Sequence, residues 1–273
     1  MKYGISAFVT DTSLSAMDLA REVEERGFES LWLPEHSHLP AAADTDPDSF
    51  YARLYDPFVA LAAAAAVTTT LGLATGVSLL AQRDPIYTAK QVASLDHLSG
   101  GRVMLGVGAG WNRAEMRHHR VDPATRHRRL AEHVEAMKAL WEDGLVRYAG
   151  EFVSFADSFA YPKPVRKPPV LVGGMGPGVE RRVLAFGNGW LPIGVAAREA
   201  EGLGRRIDAL RRRATELRRG RVPVTLVNAE PGPAAEDAYR RAGVDRLVFS
   251  IQDTDADVVR KRLDVLAVQR PPQ

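Results

Sequence analysis

The chain has 273 residues, which allows one large domain or two small ones. Its composition, 45% hydrophobic and 26% charged, is typical of a folded globular protein and excludes a disordered or collagen-like chain. The net charge of +2 gives no electrostatic reason to expect a nucleic-acid partner, and the absence of cysteine excludes disulfides and thiolate chemistry.

Short apolar segments alternate with longer amphipathic ones from the start of the chain. The first helix is predicted to bury Met17, Ala20 and Val23 and to end at Gly27. Each predicted strand is followed by a helix, as in a parallel sheet. In the first half, the predicted strands lie at 3–9, 30–34, 71–80 and 102–107.

The second half of the chain repeats the same order. Its predicted strands lie at 169–172, 189–193, 222–228 and 245–251. Eight strand–helix units in about 250 residues match an α/β fold of the (β/α)8 TIM-barrel type. A doubly wound sheet is the competing interpretation, because periodicity does not show closure. We expect one domain, 1–273, with insertions near 36–56, 108–129 and 143–168.

A barrel carries its chemistry where strands end and loops begin, which directs attention to Glu35 and His36 after the second strand. Histidine transfers protons near neutral pH, and a neighbouring carboxylate can orient it, so both are candidate catalytic residues. The alternative is a polar pair facing water. No spaced set of three or four metal ligands is evident, so we expect no metal.

Glycines mark three further strand ends. Gly76 lies inside the third strand, which indicates either a bulge near a ligand or a barrel corner. The segment 106–112 lets a flat ligand lie against the backbone but lacks the dinucleotide-binding glycine pattern. The segment 173–178 precedes a helix, where backbone N–H groups can hold a phosphate or the glycines can just turn the chain.

Basic and aromatic side chains follow in the predicted loops. The basic stretches 117–120 and 126–129 are either an anion-binding region or a solvated loop. Loop aromatic residues can form an apolar substrate pocket or pack within their own loops. They are Phe50, Tyr51, Trp111, Phe155 and Phe159.

Five segments, in this order, resemble the luciferase-like monooxygenase superfamily and, within it, the F420-dependent (deazaflavin) oxidoreductases of actinobacteria. The resemblance extends at intervals from about residue 3 to 193 and is strongest over 84–115. The segments are LWLPEHSHLP (31–40), the stretch 55–116, RLAEHVEAMKALW (129–141), YPKPV (161–165) and VLVGGMGP (170–177).

The resemblance implies a TIM barrel with the cofactor ring at the carboxyl ends of its strands. It implies that the third-strand bulge supports the ring and holds a non-prolyl cis peptide, which by position is Gly76–Val77. Gly108 and Asn112 match cofactor-contacting positions. The positions that match the segment along the ribityl chain and phosphate are Gly173, Gly174 and Met175.

The implied activity is hydride transfer between F420 and an unknown small organic substrate. His36 would handle the accompanying proton, while Glu35 stands where relatives commonly have Asp, one methylene longer. The alternatives are an FMN-dependent luciferase-like monooxygenase, since FMN and F420 share a ring shape and a phosphate, and a non-catalytic cofactor-binding paralogue.

Location and assembly are further expectations. The longest apolar run, 59–67, is too short to span a bilayer, and residues 1–5 begin a strand pattern instead of a signal peptide. We therefore expect a cytoplasmic protein without membrane partners. The alanine-rich helix at 60–66 offers a smooth surface for another helix, and relatives often pair through this region, so we expect a homodimer.

Overall fold

Eight parallel strands surround the centre of the molecule in a computed structural model that describes residues 1–41, 46 and 49–268. These residues form ten strands, of which β5 and β6 make a separate hairpin and the other eight make the barrel: β1 (Lys2–Ala7), β2 (Ser30–Leu33), β3 (Gly72–Ser78), β4 (Val103–Val107), β5 (Val146–Ala149), β6 (Ser154–Ser158), β7 (Val170–Gly173), β8 (Gly189–Leu191), β9 (Thr225–Val227) and β10 (Arg246–Ile251). The helices are α1 (Ala16–Glu25), α2 (Phe50–Arg53), α3 (Pro57–Ala65), α4 (Pro85–Leu98), α5 (Arg113–His118), α6 (Arg126–Leu140), α7 (Val179–Phe186), α8 (Ala200–Glu216), α9 (Pro233–Arg241) and α10 (Ala256–Val268).

The eight-stranded sheet closes into a ring. Its strand order is β8-β7-β4-β3-β2-β1-β10-β9, and every neighbouring pair is parallel. The two end strands meet through parallel bridges that join Trp190 to Val224 and Ile193 to Val227. The predicted TIM barrel is therefore confirmed, and the doubly wound sheet is wrong.

Apolar side chains fill both sides of the closed sheet. A large cluster joins the strands to the surrounding helices, and a second cluster consists only of strand residues, so it lies inside the barrel. Trp32 is fully buried there and donates its indole N–H to the Ser30 hydroxyl at 2.8 Å. The members of the inner cluster are Trp32, Ala74, Met104, Leu171, Leu191, Val227 and Val248.

One predicted core residue of the first helix lies at the surface. The side chain of Met17 is 43% exposed, whereas Ala20 and Val23 are buried as predicted. The buried stripe of α1 begins one residue earlier, at Ala16, and continues through Leu19 at helical spacing. Met17 is rotated about 100° from Ala16 around the helix axis, and therefore faces solvent.

Two features bear on the expected insertions and partners. The segment 143–168 contains the antiparallel hairpin β5–β6, which is separate from the barrel sheet.

On α3, Ala60 and Ala64 are buried against the rest of the chain, while Val59 is exposed, so the homodimer stays a prediction. Among the described residues, no helix combines the length and apolarity needed to cross a bilayer.

Gly106 in β4 tests how closely the strands approach one another. A Cβ added there would overlap the carbonyl oxygen of Thr75 in β3, which is backbone and cannot turn away. We expect Gly106→Ala to lower the free energy of unfolding by about 1–3 kcal/mol, measured by urea denaturation. Gly220→Ala is the control, because nothing lies within 4 Å of its added Cβ. Equal stability of the two variants would contradict this packing.

Candidate active site

An open cavity of about 440 Å³ lies at the carboxyl ends of the barrel strands. Its size falls in the range that small-molecule and cofactor sites occupy. The residues predicted at strand ends form much of its wall. Gly76, Val77, Gly108, Gly173 and Gly174 all line it.

The wall is built around the side chain of Val77. The peptide bond Gly76–Val77 is cis, as the resemblance implied, and the β3–β4 pairing shifts register beside it. A Cβ on Gly108 would lie 2.6 Å from one Val77 methyl group, and a Cβ on Gly173 would lie 2.9 Å from the other. Glycine at both positions leaves room for Val77, and the three residues form a smooth surface.

Asn112 and Met175, the other two predicted cofactor contacts, do not line this cavity. The Asn112 side chain caps α5 by accepting hydrogen bonds from the backbone N–H groups of Ala114 and Glu115. The carbonyl oxygen of Met175 accepts a hydrogen bond from Arg206 at 3.2 Å. Asn112 therefore determines where Glu115 lies, and a direct cofactor contact for either residue stays a prediction.

His36 lies beside a carboxylate that is distant in the sequence. Its Nδ1 is 2.8 Å from Oε2 of Glu115, and both side chains are almost completely buried. The Trp111 indole N–H can only donate, and it lies 3.2 Å from His36 Nε2. Nε2 is therefore the acceptor, and the imidazole proton lies on Nδ1, facing Glu115.

The charge of Glu115 is stabilised by its neighbours. Burial raises the pKa of this carboxyl, but the hydrogen bond and electrostatic attraction of the His36 ring and the hydrogen bonds from Ser37 outweigh that effect. The pKa of Glu115 is consequently below its ordinary value. Ser37 contributes its backbone N–H at 3.0 Å and its hydroxyl at 3.2 Å, both to Oε1.

Glu35 has different partners from those of His36. Its Oε2 accepts hydrogen bonds from the Ser78 hydroxyl at 2.8 Å and from the Leu79 backbone N–H at 2.6 Å, and its Oε1 is paired with Arg83. Arg83 also pairs with Asp56. Glu35 thus joins the loop after β2 to the end of β3, and this geometry favours a positioning role over the predicted catalytic one.

The loop aromatic residues divide into two groups. Tyr51 and Trp111 meet the His36 ring edge-on, at centroid distances of 5.0 and 5.4 Å. Phe155 and Phe159 instead line a separate apolar groove beside Trp141, on the outer helices. Phe50 contacts Phe8, which in turn contacts Tyr51, so Phe50 belongs to the same group of rings without touching His36 in the contacts seen.

Positive charge collects at one end of the large cavity. Arg126, His127 and Arg182 line it beside the turn at Gly176 that precedes α7. Burial, together with the positive charges of Arg182 and Arg126, lowers the pKa of His127 to about 4. His127 Nδ1 is buried without a hydrogen-bond partner. An anion such as a phosphate group would relieve this crowding of cations.

Several of these residues lay outside the sequence prediction. Glu115 is 79 positions from His36, and Arg83 is 48 positions from Glu35, so no local pattern joins them. One signal did exist: an N-cap residue type at Asn112 followed by Glu115 three positions later is typical of a helix start. It indicates α5 but not the direction of the Glu115 side chain.

The fold and cavity define a (β/α)8-barrel protein with a ligand cavity at the carboxyl ends of its strands. Residues 6–267 match the model of the luciferase-like monooxygenase family, and the chain belongs to that family. An uncharacterised protein of Mycobacterium tuberculosis H37Rv is 38% identical, over 98% of each chain. The F420-dependent glucose-6-phosphate dehydrogenase of Kineococcus radiotolerans is 32% identical over 64% of this chain and 50% of that protein.

Solved structures show the same fold at low sequence identity. The monooxygenase RslO1 of Streptomyces bottropensis superposes with a TM-score of 0.81 at 20% identity, covering 98% of each chain. An F420-dependent secondary alcohol dehydrogenase, in complex with an F420-acetone adduct, gives a TM-score of 0.79 at 18% identity, covering 98% of this chain and 99% of that one.

Arg83 is expected to hold the loop after β2 through its buried pair with Glu35. Arg83→Met leaves that buried carboxylate without its cation, and should lower the free energy of unfolding by about 3 kcal/mol in urea denaturation. Arg205→Met is the matched control, because it breaks the highly exposed pair with Glu201 and should cost below about 1 kcal/mol. A similar decrease in the free energy of unfolding in both variants would mean that the buried Arg83–Glu35 pair contributes no more to stability than an exposed pair.

Proposed function

We propose that this protein is an oxidoreductase that binds F420 at the open end of its barrel and transfers a hydride between the deazaflavin and a small organic substrate. The observation that carries the proposal is the 440 Å³ cavity, which has a wall of Gly76, Val77 and further glycines on one side and a cationic end at Arg126 and Arg182, beside His127. A planar ring fits against a wall with few side chains, and a phosphate fits the cationic end.

Similarity supports F420 as the cofactor. The Kineococcus relative, which is named as an F420-dependent dehydrogenase, shares 32% identity over a continuous part of this chain. The secondary alcohol dehydrogenase that was solved with an F420 adduct has the same barrel. Both activities move a hydride to or from a carbon that bears oxygen, so we propose an alcohol or carbonyl compound as the substrate class.

The chain's own contribution is to orient the reactants and handle a proton, since F420 when bound supplies the ring carbon that carries the hydride. Nε2 of His36 is the proton-transfer atom, because Nδ1 is committed to Glu115. Glu115 stabilises the imidazolium that forms when Nε2 takes a proton. Trp111, which covers Nε2, is 63% exposed, so it has room to move as a substrate enters.

An FMN-dependent monooxygenase is the second candidate. The features that line the cavity, a smooth wall and a phosphate-sized cationic end, suit FMN as well as F420. The similar barrel of the Streptomyces monooxygenase favours this alternative. The two candidates differ in which cofactor binds more tightly and in whether oxygen is consumed.

Titration of the purified protein with F420 and with FMN, followed by fluorescence, tests the cofactor. We expect saturable F420 binding that is tighter than FMN binding. Arg182→Met should weaken F420 binding about tenfold or more, because a charge-assisted hydrogen bond contributes about 1.5–3 kcal/mol. Arg181→Met is the control: it removes the same charge from the neighbouring exposed position, and should leave the affinity within about twofold.

The outcomes of this titration are distinct. Tight FMN binding without an F420 response would replace the proposal with the monooxygenase. Equal effects of the two arginine variants would contradict the placement of the phosphate at Arg126, His127 and Arg182.

His36→Ala tests the proton-transfer role. A panel of small alcohols, ketones and aldehydes, assayed by the F420 absorbance change, identifies a substrate for the wild-type protein. With that substrate we expect the variant to lose at least about 10²-fold in kcat, while its F420 affinity changes less than about threefold. His97→Ala is the control, because His97 is exposed, its ring contacts the Lys163 carbonyl oxygen, and it does not line the large cavity.

Full activity of His36→Ala would remove His36 from the mechanism. F420 binding by the wild-type protein without turnover of any compound in the panel would favour the non-catalytic cofactor-binding alternative.

A further inference from the structure

Three histidines and a buried carboxylate meet beside the candidate active site, outside the large cavity. The side chains of His38, His118 and His119 cluster next to Glu115, on the side of its carboxylate away from His36. Potential ligand atoms of His38, Glu115 and His119 all lie within 4.8 Å of one another. His38 comes from the loop after β2 and the other members from α5 and its C-terminal end, so no single local pattern in the sequence indicates the cluster.

The ligand atoms converge on a single point. The Ser37 hydroxyl oxygen lies 2.9 Å from His38 Nδ1, 2.6 Å from His119 Nε2 and 3.2 Å from Glu115 Oε1. Ser37 is exposed, so its hydroxyl can rotate out of this position. A cation that replaced it would then have three ligands around it.

The arrangement around the three ligands suits a metal ion. Glu115 and His119 are four residues apart at the end of α5, which places both on one face of the helix. His38 Nε2 lies 2.7 Å from His118 Nδ1, so Nε2 can donate a proton there and leave Nδ1 as the free ligand atom. The other Glu115 oxygen is fixed by His36.

A small cavity adjoins Glu115 and His119 and has room for water. It has a volume of about 30 Å³ and is lined by residues that include Ser37, Gln82, Glu115 and His119. The side-chain amide N and O of Gln82 are both buried there without a hydrogen-bond partner. Arg83 also lines this cavity, but its charge is compensated by Glu35 and Asp56.

We propose that His38, His119 and Glu115 bind one divalent transition-metal ion of the zinc type, with coordinated water in the cavity beside Gln82. Two imidazoles and a carboxylate suit Zn²⁺ and its neighbours better than Mg²⁺ or Ca²⁺. The ion draws its ligands in to about 2.0–2.1 Å and keeps at least one position for water. The proposal concerns the protein without its cofactor and does not rest on the proposed function.

Competition titration measures this site directly. Tag-free protein, stripped with a chelator and freed of it, is titrated with Zn²⁺ against a chromophoric chelator, and Co²⁺ is then added to record its visible absorption bands. We expect one equivalent of Zn²⁺ per chain and a Co²⁺ spectrum of low coordination number. His38→Ala and His119→Ala should each weaken Zn²⁺ binding at least about tenfold.

Two controls keep the result interpretable. His97→Ala removes an exposed histidine whose ring contacts the Lys163 carbonyl oxygen and is not part of the cluster, and it should leave Zn²⁺ affinity within about twofold. His119→Gln retains a hydrogen-bonding side chain beside Ser37 but removes the imidazole ligand. It should therefore lose metal binding, while its unfolding midpoint and circular dichroism, measured without metal, stay those of the metal-free wild type.

An unchanged Zn²⁺ affinity in either His38→Ala or His119→Ala overturns the site. So does wild-type binding of well under one equivalent, or an equal loss in His97→Ala, since the protein would then bind zinc only through scattered surface histidines. A failure of F420 binding in the earlier titration leaves these outcomes unaffected.

Discussion

Two buried carboxylates must both keep their partners, and the geometry of the candidate site depends on this requirement. Glu35 accepts hydrogen bonds from the end of β3, and Glu115 accepts them from His36 and Ser37 in the loop after β2. Removing the partner of a buried charge costs several kcal/mol. The loop after β2 is therefore held on two sides. His36 lies between Glu35 and Ser37 in the sequence, so these contacts fix its orientation.

The barrel was predictable because its signal is repeated eight times along the chain. Strand and helix periods differ, and each apolar face must be buried, so the number and order of units follow from the pattern. The pattern did not show that the sheet closes into a ring. Closure depends on bridges such as Trp190 to Val224, and the repeat does not indicate which strands pair. Met17 shows the same limit locally: its spacing fits the helix, but the stripe starts at Ala16.

The candidate site was predictable where it consists of backbone and unpredictable where it consists of paired side chains. Strand ends and glycines indicated Gly76, Gly108 and Gly173, and these line the cavity. Adjacency suggested Glu35 as the partner of His36, but successive residues in an extended loop point in different directions. The carboxylate that faces His36 comes from α5, and only the three-dimensional fold shows this.

Glu115 connects His36 to the histidine cluster. One of its oxygens contacts His36, and the other contacts Ser37, which in turn contacts His38 and His119. A carboxylate is planar and rigid, and this one is buried, so a displacement at one oxygen moves the other. In the proposed function, the cavity wall fits the ring shape that F420 and FMN share, and a smooth backbone surface has few means of distinguishing the two cofactors. In that function, substrates are therefore distinguished at His36 and the loops around it. There Glu115 determines the positions of both His36 and Ser37.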